Sequence, residues 1–276
     1  MDEVLNKKAP IGVFDSGLGG LTALRQLQAV LPHEDYIYFG DTARVPYGSR
    51  DKETLSRFAA DDIALLRAHG VKAILIACGT VSSVLLEEIK GDYPIPLVGV
   101  IESAATAAAL ATRCGKIGIW GTAASIGSGA YARRLEALGY ADTVAVACPK
   151  LVPLIEGGHL SAEDPLVRQA LQEYLQPILQ AGADTLILGC THYPLLADAI
   201  CAIAGAGLTL IDSGKESVVT LQTALEQADL LRADGAGETR YIVSGEPKEF
   251  AARGGAFMGR DLSGKVEQKN AETFGR

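Results

Sequence analysis

Two stretches of this chain read as copies of each other, and they restrict its fold more than any other feature. Residues 70–80 are GVKAILIACGT and residues 182–192 are GADTLILGCTH. Each opens on a glycine, runs through an apolar stretch and reaches a cysteine eight positions on, Cys78 or Cys190. A polar turn with a threonine follows each cysteine. An Ile/Leu run bounded by Gly and a turn is the pattern of a parallel strand covered on both faces. Open α/β sheets carry their ligand chemistry beyond the C-terminal ends of such strands. Each half of the chain is thus expected to present one thiol at the mouth of a crevice.

The elements around these stretches repeat as well. Residues 10–15 (PIGVFD) predict a first strand, followed by a Gly-rich turn and a helix. Residues 36–40 predict a second strand, and 41–48 (DTARVPYG) a loop of turn residues. Residues 51–69 carry a helical period, with Leu55, Phe58, Ile63 and Leu66 near one face. The Cys78 strand follows, then a helix to about Lys90, a break at 93–96 (YPIP) and a strand in LVGVI. Residues 117–120 (IGIW) then echo 11–14 (IGVF). From Ile11 to Cys78 is 67 positions, and from Ile117 to Cys190 is 73. This alternation predicts a duplicated α/β unit with parallel sheets and helices outside. Residues 208–211 (LTLI) are expected to return to the first sheet, with a helix at about 216–230. Residues 239–245 alternate like an edge strand or hairpin arm, and the polar residues from about 268 are expected to fray. The domains are then 1–100 plus 211–276, carrying Cys78, and 101–210, carrying Cys190.

At 276 residues the chain is long enough for two domains, with roughly 150 residues per domain as a soft prior. Its 25 basic against 33 acidic residues give a net charge of −8, which disfavours nucleic acid or an anionic membrane as the main partner. The start, MDEVLNKK, lacks the apolar core of a signal peptide, and no apolar run reaches the ~18 residues of a membrane span. Five cysteines, odd in number and without a CxxC pair, read as reduced cytosolic thiols and not as a disulfide frame or a metal site.

A thiol becomes a strong base only where its charged form is favoured, as at the start of a helix. Cys78 and Cys190 both sit where a strand hands over to a turn and a helix. Cys114, Cys148 and Cys201 lack that setting and read as small buried hydrophobes. Asp15 and Ser16 close an apolar strand; they read equally as a helix N-cap and as an acid group at the crevice mouth near Cys78. The GLGG turn lacks the third glycine of a dinucleotide loop, so even with Asp41 in the place of a ribose acid the match is weak. His192 is either a turn histidine or a proton partner of Cys190. Glu156 in LIEGG reads by itself as a solvated helix-end carboxylate, and Tyr47 and Gly48 as turn residues.

Four segments, DSGLGG (15–20), GDTARVPYG (40–48), ACGT (77–80) and LGCTHYPLL (188–196), with the looser LIEGG (154–158), resemble the glutamate racemases of the cofactor-independent aspartate/glutamate racemase superfamily. The resemblance runs in order over nearly the whole chain. It implies an α/β fold of two similar α/β domains with parallel-sheet cores, related by pseudo-twofold symmetry, with the active site in the crevice between them. It implies that Cys78 and Cys190 are the two acid/base groups, that Asp15 supports Cys78, and that Glu156 and His192 support Cys190. Asp15, Ser16, Tyr47, Gly48, Gly79, Thr80, Thr191 and His192 would hold the amino acid. It further implies no cofactor, a cytoplasmic homodimer, glutamate as substrate, and D-glutamate for peptidoglycan as product. One position departs from it: the family usually reads ACNT where this chain has Gly79.

Racemisation takes a proton from one face of the α-carbon and delivers another to the opposite face. A single base tends to return its proton to the face it came from, whereas two thiols on opposite walls avoid this. The rival expectations are the same chemistry on aspartate, a nucleotide-dependent oxidoreductase built on the GLGG turn, and a binding protein that holds an amino acid without turning it over.

Overall fold

The computed structural model describes residues 6–275; five residues of the MDEVLNKK start lie outside that range. The first part of the chain runs β1 (Ile11–Asp15), α1 (Leu21–Val30), β2 (Tyr36–Gly40), α2 (Lys52–Ala68), β3 (Ala73–Ile76), α3 (Gly79–Val84), α4 (Leu86–Ile89) and β4 (Leu97–Val98). The middle runs α5 (Ile101–Ala111), β5 (Ile117–Gly121), α6 (Ala123–Ser128), α7 (Ala130–Ala137), β6 (Thr143–Ala147), α8 (Leu151–Glu156), α9 (Pro165–Gln180), β7 (Thr185–Leu188), α10 (Ala197–Ala204) and β8 (Thr209–Asp212). The remainder is α11 (Ser213–Gln227), β9 (Thr239–Val243), α12 (Pro247–Met258) and β10 (Val266–Gln268).

Among the described residues the strands form two sheets, ordered β10-β9-β2-β1-β3-β4 and β6-β5-β7-β8. All pairings are parallel. The run β2-β1-β3-β4 has the same order as β6-β5-β7-β8, and the registers match too. Ile11 faces Ala73, and Ile117 faces Thr185. The expected repeat of the sequence is therefore a repeat of the fold, with β9 and β10 added along one edge of the first sheet.

Local chemistry explains the elements. The Asp51 side chain accepts the Thr54 N–H at 2.8 Å and opens α2, satisfying one of the free donors of a first turn. Leu55, Phe58, Ile63 and Leu66 are all buried. Past α2, Gly70 takes φ +72°, and past α9, Gly182 takes φ +73°. These are the glycines that open the two copied stretches, and both end a helix in the left-handed region that a side chain disfavours. β3 and β7 are then buried along their whole length, as strands covered on both faces require.

Several expectations are corrected. Residues 208–211 do not return to the first sheet, because Thr209–Asp212 pairs with β7 in the second; an apolar run alone does not say which sheet it joins, and the short connection after α10 favours the neighbouring strand. Residues 239–243 are neither an edge nor a hairpin arm: β9 lies between β2 and β10, parallel to both, and Tyr241, Ile242 and Val243 are buried in succession. The chain reaches β9 over a buried ion pair. The Lys72 ammonium donates to Glu34 at 2.5 Å and to the Leu230 carbonyl at 2.8 Å, and the Arg232 N–H donates to Glu34 at 2.8 Å. Residues 269–274 pack down instead of fraying, with the Lys269 N–H on the Val243 carbonyl and Ala271 buried. In LVGVI, strand pairing stops at Val98 and α5 begins at Ile101. Cys148 is buried as expected, but Cys114 and Cys201 are exposed. An apolar sequence does not reveal which side of a short helix such as α10 faces outward. No described helix is long and apolar enough to cross a membrane.

Candidate active site

The C-terminal ends of the two sheets face each other. The Asp15 carboxylate at the end of β1 accepts from the Thr191 hydroxyl at 3.5 Å. The Thr22 hydroxyl donates to the Thr191 carbonyl at 3.0 Å. Thr80 in α3 and Thr122 past β5 join hydroxyls at 3.0 Å, and the Ala124 N–H donates to the Gly48 carbonyl at 3.0 Å. Each cysteine lies two positions past its strand at this meeting line, and both are buried. A strand that stops at a turn leaves the side chains that follow at the sheet's end, and both halves of the chain use that geometry.

The two sulfurs have different company. The Cys78 thiol lies 3.9 Å from the Ser16 hydroxyl. Burial pushes its pKa up to about 12, the nearby Asp15 carboxylate adds to the rise, and the Val81 and Thr80 N–H groups and Ser16 oppose it. Cys78 therefore holds its proton in this state. Cys190 lies 3.9 Å from His192 Nδ1, and His192 Nε2 lies 3.0 Å from Glu156. Burial acts to lower the His192 pKa, but its bonds to Cys190 and Glu156 outweigh that and lift it to about 10. The ring is then an imidazolium at neutral pH, donating from both nitrogens. Glu156 is held below the ordinary carboxylate range, first by its bond to His192. Asp15 is pushed above that range by burial, with the His192 charge pulling the other way.

Arg253, on α12 of the first part, completes a chain of groups that crosses the crevice. Its guanidinium donates to Glu156 at 2.8 Å, and Phe257 of the same helix sets its ring edge-on to His192 at 5.8 Å. A small cavity of about 120 Å³, lined by Gly17, Val45, Glu156 and Arg253 among others, opens at this side. The sequence reading missed Arg253, and FAARGG gives no local signal for it.

The loop of residues 41–48 is held by a charge cluster that the reading also missed. Arg44 donates to Asp41 at 2.6 Å, Asp61 at 2.8 Å and Asp62 at 2.7 Å. The Tyr47 hydroxyl donates to Asp41 and, at 3.0 Å, to Asp62. Tyr47 thus turns its hydroxyl into this cluster, while the neighbouring Gly48 backbone meets the second sheet. The cluster's signal was present in the sequence: Asp61 and Asp62 interrupt the apolar face of α2, and a buried acid needs a partner. Of the expected site residues, Asp15, Ser16, Cys78, Gly79, Thr80, Glu156, Cys190, Thr191 and His192 come together, and Tyr47 and Gly48 flank them. Each half of the chain thus brings one buried sulfur to the meeting line, Cys78 protonated beside Ser16 and Cys190 beside the His192 cation.

A family profile described as Asp/Glu/Hydantoin racemase matches residues 22–221. The chain is 41% identical over 264 residues to a glutamate racemase of Geobacter metallireducens, covering 95% of this chain and 97% of that one. Its fold is similar to glutamate racemase of Francisella tularensis in complex with D-glutamate, with a TM-score of 0.88, 33% identity, and coverage of 97% and 100%. It is also similar to glutamate racemase of Thermus thermophilus in complex with beta-chloro-D-alanine, with a TM-score of 0.87, 42% identity, and coverage of 97% and 99%.

Proposed function

The chain belongs to the Asp/Glu/hydantoin racemase family, and we propose that it interconverts L- and D-glutamate without a cofactor, using Cys78 and Cys190 as paired acid and base. It is an amino-acid racemase. Glutamate is favoured by relatives named for that activity over nearly their full length and by a similar enzyme bound to D-glutamate. The observation that carries the two-base reading is the unlike setting of the two sulfurs, Cys78 protonated beside Ser16 and Cys190 beside the His192 cation.

In this scheme the substrate enters with its α-carbon between the sulfurs. Cys190, as thiolate, takes the proton from one face while Cys78 delivers its own to the other; the roles exchange in the reverse direction. The α-proton is a poor acid, so the carbanion needs donors fixed in advance around the carboxylate. The Thr80 and Thr191 hydroxyls, Ser16 and the turn N–H groups beyond β3 and β7 supply them. Their cost of ordering is met on folding, so little reorganises during the reaction. Asp15 and Glu156 act on the sulfurs through charge, and Gly48 and Tyr47 wall the site.

The proposal includes the division into domains at about residues 100 and 211, a homodimeric assembly, and D-glutamate supplied to peptidoglycan synthesis in a bacterial cytoplasm, as the family implies. Aspartate is the second reading, because Gly79 offers no side-chain amide to the substrate. The test is circular dichroism of purified enzyme with each enantiomer of glutamate and aspartate, no cofactor added. Cys78→Ala and Cys190→Ala should each abolish conversion in both directions. In D₂O the label should appear first in the product enantiomer. Full activity in either variant, or equal early labelling of unreacted substrate, would refute the paired mechanism.

A further inference from the structure

Three glycines of the first part touch the second part where any side chain would collide. A Cβ built on Gly19 would stand 2.1 Å from the Thr191 hydroxyl, and one on Gly48 would stand 2.9 Å from Thr122 Cβ. The tightest approach to backbone is at Gly79, whose Cβ would lie 2.3 Å from the Gly189 carbonyl oxygen and 3.8 Å from Cys190 Cα. A side chain at 19 meets the Thr191 and His192 side chains, whereas a side chain at 79 meets the peptide that carries Cys190.

The geometry points to Gly79 as a positioning residue that sets how closely the two cysteine turns approach, and so sets the gap between the two acid/base sulfurs. This rests on the reading of Cys78 and Cys190 as the proton-transfer pair. Gly79 directly follows Cys78, and Gly189 directly precedes Cys190. Their contact is backbone against backbone, so it acts as a stop that defines the closed crevice. Restoring ordinary contact, at 3.4 Å or more, against a Cβ now at 2.3 Å moves the turns apart by about 1 Å.

Gly79 is not held by backbone conformation. Its φ is not in the left-handed region, and it is the first residue of α3, where alanine is a better helix former than glycine. Gly79→Ala is therefore compatible with α3, and the crowding falls between the two cysteine turns. The effect falls on the reacting geometry, where a displacement of about 1 Å costs about a hundredfold in rate.

The experiment compares wild type, Gly79→Ala and a control, Gly91→Ala, at a glycine with open space around it and no positive φ. Glutamate kinetics in both directions should show kcat lower by about a hundredfold in Gly79→Ala, with KM little changed and thermal melting unaltered or slightly raised. Alkylation by iodoacetamide, read cysteine by cysteine by mass spectrometry, should speed up several-fold at Cys78 and Cys190. The exposed Cys114 and Cys201 are the internal reference, and Gly91→Ala should match wild type throughout. An unchanged kcat, a loss carried by KM alone, or unchanged labelling of Cys78 and Cys190 would overturn the assignment. If wild type racemises neither glutamate nor aspartate, the functional reading fails, and the labelling comparison still decides whether Gly79 governs closure.

Discussion

His192 is the residue through which charge enters the site. It sits between the Cys190 sulfur and the Glu156 carboxylate, and its proton serves both. kcat/KM should hold through neutrality and fall as the pH approaches about 10, where His192 loses that proton. His192→Gln should lower kcat by about 10²- to 10⁴-fold and remove the alkaline limb; a limb that survives in the variant would assign it elsewhere. The same proton bears on stability. The folded-state pKa is raised above the ordinary 6.5 to about 10, so the stabilisation is fully present below 6.5 and is lost as pH rises through 10. Melting curves of wild type and His192→Gln should therefore converge as the pH is raised. Residues of this kind were legible in the sequence because a short turn holds them in fixed succession: Cys190, Thr191 and His192 cannot separate. Arg253 was not legible, because it reaches Glu156 from a helix 97 residues away along the chain, and no local pattern records such an encounter.

The loop of residues 41–48 has few backbone bonds of its own, and its shape depends on α2. Three carboxylates share the Arg44 guanidinium, which is 12% exposed, and two of them are fully buried. Burial and the Asp41 charge push the Asp62 carboxyl well above its ordinary range, against the pull of Arg44 and the Tyr47 hydroxyl. Two substitutions separate charge from shape. Arg44→Met leaves buried acids without their cation and should cost about 3–5 kcal/mol, with substrate affinity lost as the Gly48 backbone shifts. Asp62→Asn keeps the shape and removes a carboxyl that burial already disfavours as an ion, and should cost about 1 kcal/mol or less; denaturant titration of both proteins measures this. Equal losses would show that Asp62 is ionised and that the cluster works as a set of full charges. Elements with a strong period and a clear stop, such as α2, β3 and β7, were readable from the sequence. Assignment to a sheet was not: β8 and β9 are short apolar runs, and nothing in either says that β8 joins the preceding strand β7 while β9 reaches back to β2.

Across the whole molecule, the ion pair of Arg253 with Glu156 joins the α12 side of the first sheet to the α8 side of the second. Both side chains remain about a third exposed, so water screens the pair and it contributes about 0.2–1 kcal/mol. Arg253→Met should accordingly lower kcat/KM by no more than about fivefold. Enantiomers have equal free energy, so that loss must be the same from L and from D, however unlike the two walls are. A loss above a hundredfold would mean that Arg253 touches the substrate. The sheet topology also has a consequence for synthesis. The chain leaves the first sheet after Val98, completes all four strands of the second by Asp212, and only then supplies β9 and β10. As the polypeptide emerges from the ribosome, the later-starting layer has its full complement of strands first, while the earlier one waits with the β2 flank uncovered until residue 243 is made. Proteases and chaperones acting during translation would therefore meet a finished inner module held within an unfinished outer one.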